Sequence, residues 1–230
     1  MRTARIIVGA LVVVLAACAR PDTAGKAGEA EGAGTIADTS ARPAPSAPPA
    51  IVFLGTSLTA GLGLDPDHAY PAIVQQKLDS AGLRYTAVNA GVSGESSAGA
   101  VRRIDWILRQ PPAVLVIETG ANDGLRGQDP DSLKANIQLM IDRVRQSSPS
   151  TRIVLAGMEA LPNLGADYTR RFRAIYPALA AANHVALIPF LLNGVAGVDS
   201  LNQQDGIHPT DAGARIVADN VWPVLVKELR

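Results

Sequence analysis

From Ile51 onward the chain alternates short, almost wholly apolar runs with longer amphipathic ones, and this alternation limits its fold more than any other feature. The runs "AIVFLG", "YTAVNAG", "AVLVIETG", "RIVLAGM" and "HVALIPF" are apolar along their length rather than at every second residue, as expected of parallel strands covered on both faces. Between them, helical spacing predicts helices over Pro71 to Ser80, Ser97 to Arg109, Ser132 to Gln146, Tyr168 to Ala182 and Asp211 to Leu229. The pattern is βα repeated five times. Right-handed crossovers then require helices on both faces of a sheet of about five strands, a three-layer α/β/α domain. In such sheets ligands bind beyond the carboxyl ends of the strands.

Four stretches at those strand ends carry residues that can do chemistry. In "IVFLGTSLTAG" the first run enters a glycine and then presents Thr56, Ser57 and Thr59. Ser57 reads either as a helix cap or turn residue, or as a nucleophile standing at the crevice. The G-x-S-x-G nucleophile elbow is excluded, because Thr59 occupies the place of its second glycine. "QQDGIHPTDAG" sets Asp205 three residues before His208. A carboxylate so placed can accept from Nδ1–H and leave Nε2 to take a proton from a hydroxyl, although the same stretch also reads as a surface turn before a helix. No further histidine or carboxylate cluster stands nearby to complete a metal site, and none is expected. "GANDG" offers the Asn122 amide, and "VNAGVSGESS" a turn at Gly94 whose backbone can approach a substrate; both are donors for an oxyanion, and both are also ordinary turn sequences. Glu118 and Asp123 read equally as tuning or structural residues, His68 as a solvated loop residue, and His184 as the start of the fifth strand.

Together these segments resemble four blocks of the SGNH, or GDSL, hydrolases. Ser57 of "GTSL", Gly94 of "NAGVSG", Asn122 of "GAND" and His208 of "DGIHP" stand where that family has its Ser, Gly, Asn and His. "ETGANDGLRG" and "RRFRAIYPALA" extend the likeness toward its bacterial periplasmic thioesterase, lysophospholipase and arylesterase group. The resemblance spans about Ile51 to Val226. It implies a flavodoxin-like sheet in strand order 2-1-3-4-5 and a serine hydrolase of acyl esters, thioesters or lysophospholipids that needs no cofactor. On this reading Ser57, Asp205 and His208 are catalytic, the Ser57 and Gly94 N–H groups and the Asn122 side chain form the oxyanion hole, and Met158, Leu161, Pro162 and Leu164 border an acyl pocket. One departure stands out: the family's usual G-D-S-L has Thr56 here in place of aspartate.

The first 18 residues are expected to be a signal peptide, with Arg2 and Arg5 followed by an apolar run shorter than the roughly 20 residues of a membrane span. "LAAC" resembles a bacterial lipobox, which makes Cys18, the only cysteine, the expected site of lipidation. Residues 19–49, rich in Ala, Gly and Pro, read as a flexible tether to a domain over 50–230. The protein is thus expected to be exported and held in the cell envelope by lipid on Cys18. Lys plus Arg and Asp plus Glu both number 21, which leaves no field to attract nucleic acid. Two other readings stay open: a carbohydrate O-deacetylase with the same machinery, and a non-catalytic acyl-binding lipoprotein.

Overall fold

The computed structural model describes residues 47–229. The expected signal peptide, the lipobox Cys18 and the tether up to residue 46 lie outside the described residues. Five strands, β1 (Ala50–Gly55), β2 (Thr86–Gly91), β3 (Val114–Glu118), β4 (Arg152–Ala156) and β5 (Ala186–Ile188), form one parallel sheet in the order β2-β1-β3-β4-β5. The chain leaves β1 in one direction to reach β2 and then crosses back over it to β3. This reversal opens a crevice at the carboxyl ends of β1 and β3. Register brings those ends level, with Gly55 beside Gly91 and Leu54 beside Ile117.

Seven α-helices are described: α1 (Ser57–Ala60), α2 (Tyr70–Ser80), α3 (Ser97–Ile107), α4 (Ala121–Leu125), α5 (Pro130–Ser147), α6 (Ala166–Asn183) and α7 (Asp211–Leu225). The long ones pack as α2 with α7, and as α3 with α5 and α5 with α6. Helix α5 shows why. Leu133, Ile137, Met140, Ile141 and Val144 fall on one stripe and are all buried, each such side chain contributing roughly 1.5–3 kcal/mol. Asp129 caps its start by accepting from Asp131 N–H, and Pro130 fills the first position, where no donor is missed. Among the described residues no helix is long and apolar enough to cross a membrane.

Three expectations need correction. The second run is not covered on both faces: β2 is an edge strand, with Thr86, Val88 and Asn89 exposed. Its half-buried residues Ala87 and Ala90 pack against the core from opposite faces. His184 does not begin a strand but ends α6 in the left-handed conformation at φ 49°, and β5 starts two residues later. The last helix stops at Leu225, and residues 226–229 tighten into a 3-10 turn.

Candidate active site

The turn after β1 settles what caps what. Thr56, in extended conformation, is the N-cap of α1 and accepts from Leu58 N–H. Ser57 is therefore the first helical residue rather than the cap, and its backbone N–H has no intrahelical acceptor. Thr56 also answers for the missing aspartate. Its N–H donates to Glu118 Oε2 at 2.7 Å, and its hydroxyl donates to the same carboxylate at 3.0 Å. Thr59 Oγ1 adds a third donor at 2.9 Å and is itself paired with the Tyr70 hydroxyl at 2.9 Å. The carboxylate packed behind Ser57 comes from Glu118 at the end of β3, with Thr56 as its donor.

Glu118 is fully buried, and that burial pushes its carboxyl above the ordinary 4.5, against the pull of its donors. A carboxyl raised in this way keeps its proton in the folded chain after the unfolded chain has released it. Folding then takes up a proton, so stability falls as pH rises through that window and levels off above the folded pKa. Urea titrations from mildly acid to mildly alkaline pH check this: the stability of wild type relative to Glu118→Gln is expected to fall with rising pH. A pH-independent difference would show that folding does not raise the Glu118 pKa.

The turn after β2 brings Gly94 to the same edge with φ 78°, a conformation that favours glycine, and Arg126 Nη2 donates to its carbonyl at 2.9 Å. After β3, α4 carries Asn122 at its start. The neighbouring Asp123 is buried and accepts from Ser97 N–H at 2.9 Å and from the Ser97 hydroxyl at 2.5 Å, a structural tie to the start of α3.

The segment before α7 completes the group. Gly206, at φ 74°, lets the chain fold so that Asp205 Oδ1 accepts from the N–H groups of Ile207 and His208, both at 3.0 Å. Asp205 Oδ2 accepts from His208 Nδ1–H at 2.6 Å. The tautomer fixed by that bond leaves Nε2 free to accept from the Ser57 hydroxyl, 2.8 Å away. The His208 N–H, followed by the imidazole, holds the Asp205 carboxyl down at about 2. Serine, histidine and carboxylate form one hydrogen-bonded relay, an arrangement that can generate an alkoxide-like nucleophile.

A cleft of about 300 Å³ opens beside Ser57 and is lined by Gly94, Asn122 and His208 together with Leu62, Leu125, Met158, Leu161, Leu192 and Ala196. Of the expected pocket residues, Met158 and Leu161 line it. Pro162 does not: it opens a 3-10 turn over 162–164 and borders a separate surface groove with Thr169 and Arg173. Leu164 is likewise absent from the lining. His68 is more than a solvated loop residue, since its Nδ1 lies 2.8 Å from Asp211 Oδ2 at the start of α7. Sequence reasoning missed Leu62 and Leu192, which sit in turns, and Leu125, which ends the five-residue α4, where no periodicity marks a buried face, and also Glu95 and Arg103. Among the described residues no group of three or more His, Cys, Asp or Glu side chains is placed to hold a metal ion.

Comparison with known proteins places the chain in a family. The family described as GDSL-like Lipase/Acylhydrolase matches residues 53–216. Esterase TesA of Pseudomonas aeruginosa is 40% identical over 176 residues, covering 76% of this chain and 87% of that protein. Thioesterase 1/protease 1/lysophospholipase L1 of Escherichia coli K12 is 32% identical over 170 residues, covering 74% of this chain and 79% of that protein. The crystal structure of TesA superposes with a TM-score of 0.74 at 39% identity, over 78% of this chain and 99% of that one.

Proposed function

Because this chain belongs to the GDSL-like lipase/acylhydrolase family and is an ester-hydrolysing SGNH serine hydrolase, we propose that Ser57 is its nucleophile, His208 its general base, and an acyl chain of several carbons its preferred acyl group. Ser57 Oγ attacks the acyl carbonyl as its proton passes to His208 Nε2, with Asp205 orienting the imidazolium. The carbonyl oxygen takes up the charge and rests on Ser57 N–H, Gly94 N–H and the Asn122 amide. His208 returns the proton to the departing oxygen or sulfur. Water then attacks the acyl-serine by the same route, releasing the acid and restoring Ser57.

The observation that carries the acyl preference is the leucine- and methionine-lined cleft continuous with the Ser57–His208 pair. Apolar lining binds acyl chains by burying their methylenes, each worth roughly 0.8 kcal/mol. An acetyl group would leave most of that surface unused, and among the described residues no aromatic side chain lines the cleft to stack on a sugar. Relatives named as an esterase and as a thioesterase and lysophospholipase support aryl or alkyl esters, acyl thioesters and lysophospholipids as the substrate range. A series of p-nitrophenyl esters of increasing chain length, run beside an acyl thioester, a lysophospholipid and an acetylated glycan, tests it. kcat/KM is expected to rise from acetate to medium chains. A maximum at acetate, with turnover of the glycan, would overturn the acyl preference in favour of deacetylation.

All the residues of this machinery lie within residues 50–229, and the preceding segment reads as signal and tether. The "LAAC" motif supports export and lipid anchoring through Cys18. Mass spectrometry of the mature N-terminus checks that assignment.

A further inference from the structure

Two of the oxyanion donors meet at one residue, Glu95. It follows Gly94 directly, and its main-chain carbonyl accepts from Asn122 Nδ2 at 3.0 Å. An amide NH₂ carries two protons, so a bond made by one fixes the plane in which the other can point. The Glu95 side chain is held by Arg103. Arg103 Nε donates to both carboxylate oxygens, at 2.8 and 2.9 Å, and Nη2 donates to Oε2 at 2.7 Å. The same Nη2 also donates to the carbonyl of Gly55 at 3.2 Å, two residues before Ser57. A single ion pair thereby joins the end of β1, the turn after β2 and, through Asn122, the turn after β3.

The pair is largely withdrawn from water, with the Glu95 side chain 9% and the Arg103 side chain 20% exposed. Gly99 makes room for it, since a Cβ there would lie 2.7 Å from Glu95 Cγ. A planar guanidinium gripping a carboxylate fixes direction as well as charge. We propose that Glu95 and Arg103 are a positioning pair for the oxyanion hole, setting the Gly94 peptide and the Asn122 amide at their working distance from Ser57. Neither residue touches substrate, and the proposal rests on the oxyanion reading given above.

Donors aimed at a developing oxyanion act on the transition state more than on bound substrate, so misplacing them lowers kcat and leaves KM nearly unchanged. Misplacement by about 1 Å can cost on the order of a hundredfold, so Arg103→Met and Glu95→Gln are each expected to lower kcat by roughly ten- to a hundredfold. The double variant is expected to be no slower than the worse single, because either change breaks the same link. Arg103→Lys, which keeps the charge but loses the fork, falls between Arg103→Met and wild type. Inhibition by phenylboronic acid, which forms a tetrahedral adduct on a nucleophilic serine, weakens in parallel with kcat. A purely structural pair would instead lower the melting temperature with kcat per folded molecule and boronate affinity unchanged.

Glu95→Gln preserves volume and the main-chain carbonyl, and it carries the test should Arg103→Met fail to fold. Wild-type kcat in folded Glu95→Gln, or multiplying effects in the double variant, overturns the pair. Asn122→Ala, measured alongside, identifies which reading has failed. Should it lose the roughly 10²–10³ in kcat expected of one donor while the pair variants stay fully active, the oxyanion hole stands and the pair does not. Normal turnover by folded Asn122→Ala removes the oxyanion reading and the pair with it.

Discussion

Ser57→Ala is expected to lower kcat by about 10⁶ while leaving the protein folded, as removal of the nucleophile does in other Ser–His–Asp enzymes. Ser57 stands at the first position of α1, where alanine is accommodated, and its side chain makes one hydrogen bond, to His208. Losing that bond costs about 1 kcal/mol at most in stability. The chemical cost is of another order because no second hydroxyl can substitute. Thr56 Oγ1 and Thr59 Oγ1 lie close in sequence, but both donate to Glu118 and are turned into the protein. His208→Ala is expected to cost nearly as much, and the double variant little more, since nucleophile and base act as one unit. Steady-state turnover of a p-nitrophenyl ester, together with fluorophosphonate labelling of Ser57, measures this. Folded Ser57→Ala with wild-type turnover would place the nucleophile elsewhere.

The large loss at Ser57 and the smaller one expected at Glu95 reflect different physical roles at one sheet edge. On the proposed mechanism Ser57 forms the covalent bond. Glu95 and Arg103 fix the relation between turns that follow three different strands. The parallel sheet brings those turns to one level through its register, and side chains must supply the remaining alignment. Thr56 and Glu118 do so from beneath the nucleophile, and Asp123 and Ser97 from beneath Asn122.

Much of this was legible in sequence wherever one local rule governed. Strand β3 is buried along its whole length and β1 and β4 are buried after their first residue, as their apolar runs say; α5 carries a stripe long enough to set its period. The relay was legible through the family resemblance, since Ser57, two residues past β1, and the Asp205–His208 spacing each read on their own as cap or turn as well as catalysis. Features decided by distant partners were not. An edge strand has the same composition as a central one when its exposure depends on which strand lies beside it, as β2 shows. Helices α1 and α4 are too short to display a period. Glu95 and Arg103 are eight residues apart, with Glu95 outside α3, so no helical i,i+4 spacing marks the pair. The role of Thr56 depended on Glu118, 62 residues away. The pocket residues divided at one bond: Leu161 faces the cleft, whereas Pro162 begins a turn that leads away from it.

Asp205→Asn is expected to lower kcat by about 10⁴, because the substitution reverses the tautomer of the base while nearly preserving shape. Oδ1 can still accept from the N–H groups of Ile207 and His208, so the loop keeps its course and KM is expected to hold. At the other atom an NH₂ replaces an acceptor 2.6 Å from His208 Nδ1. That nitrogen must then accept rather than donate, the ring proton moves to Nε2, and Nε2 meets Ser57 Oγ as a donor that cannot take its proton. Asp205→Ala removes the backbone anchors as well and is expected to disturb KM besides kcat. In wild type the carboxyl is held at about 2, chiefly by the His208 N–H, so it stays ionised across the range in which imidazoles titrate. The acid limb of kcat/KM therefore reports the base and not its carboxylate partner. A pH profile of wild type beside Asp205→Asn checks both statements. Turnover of the asparagine variant within about tenfold of wild type would mean that Asp205 does not set the tautomer, against the 10⁴ such a reversal costs elsewhere.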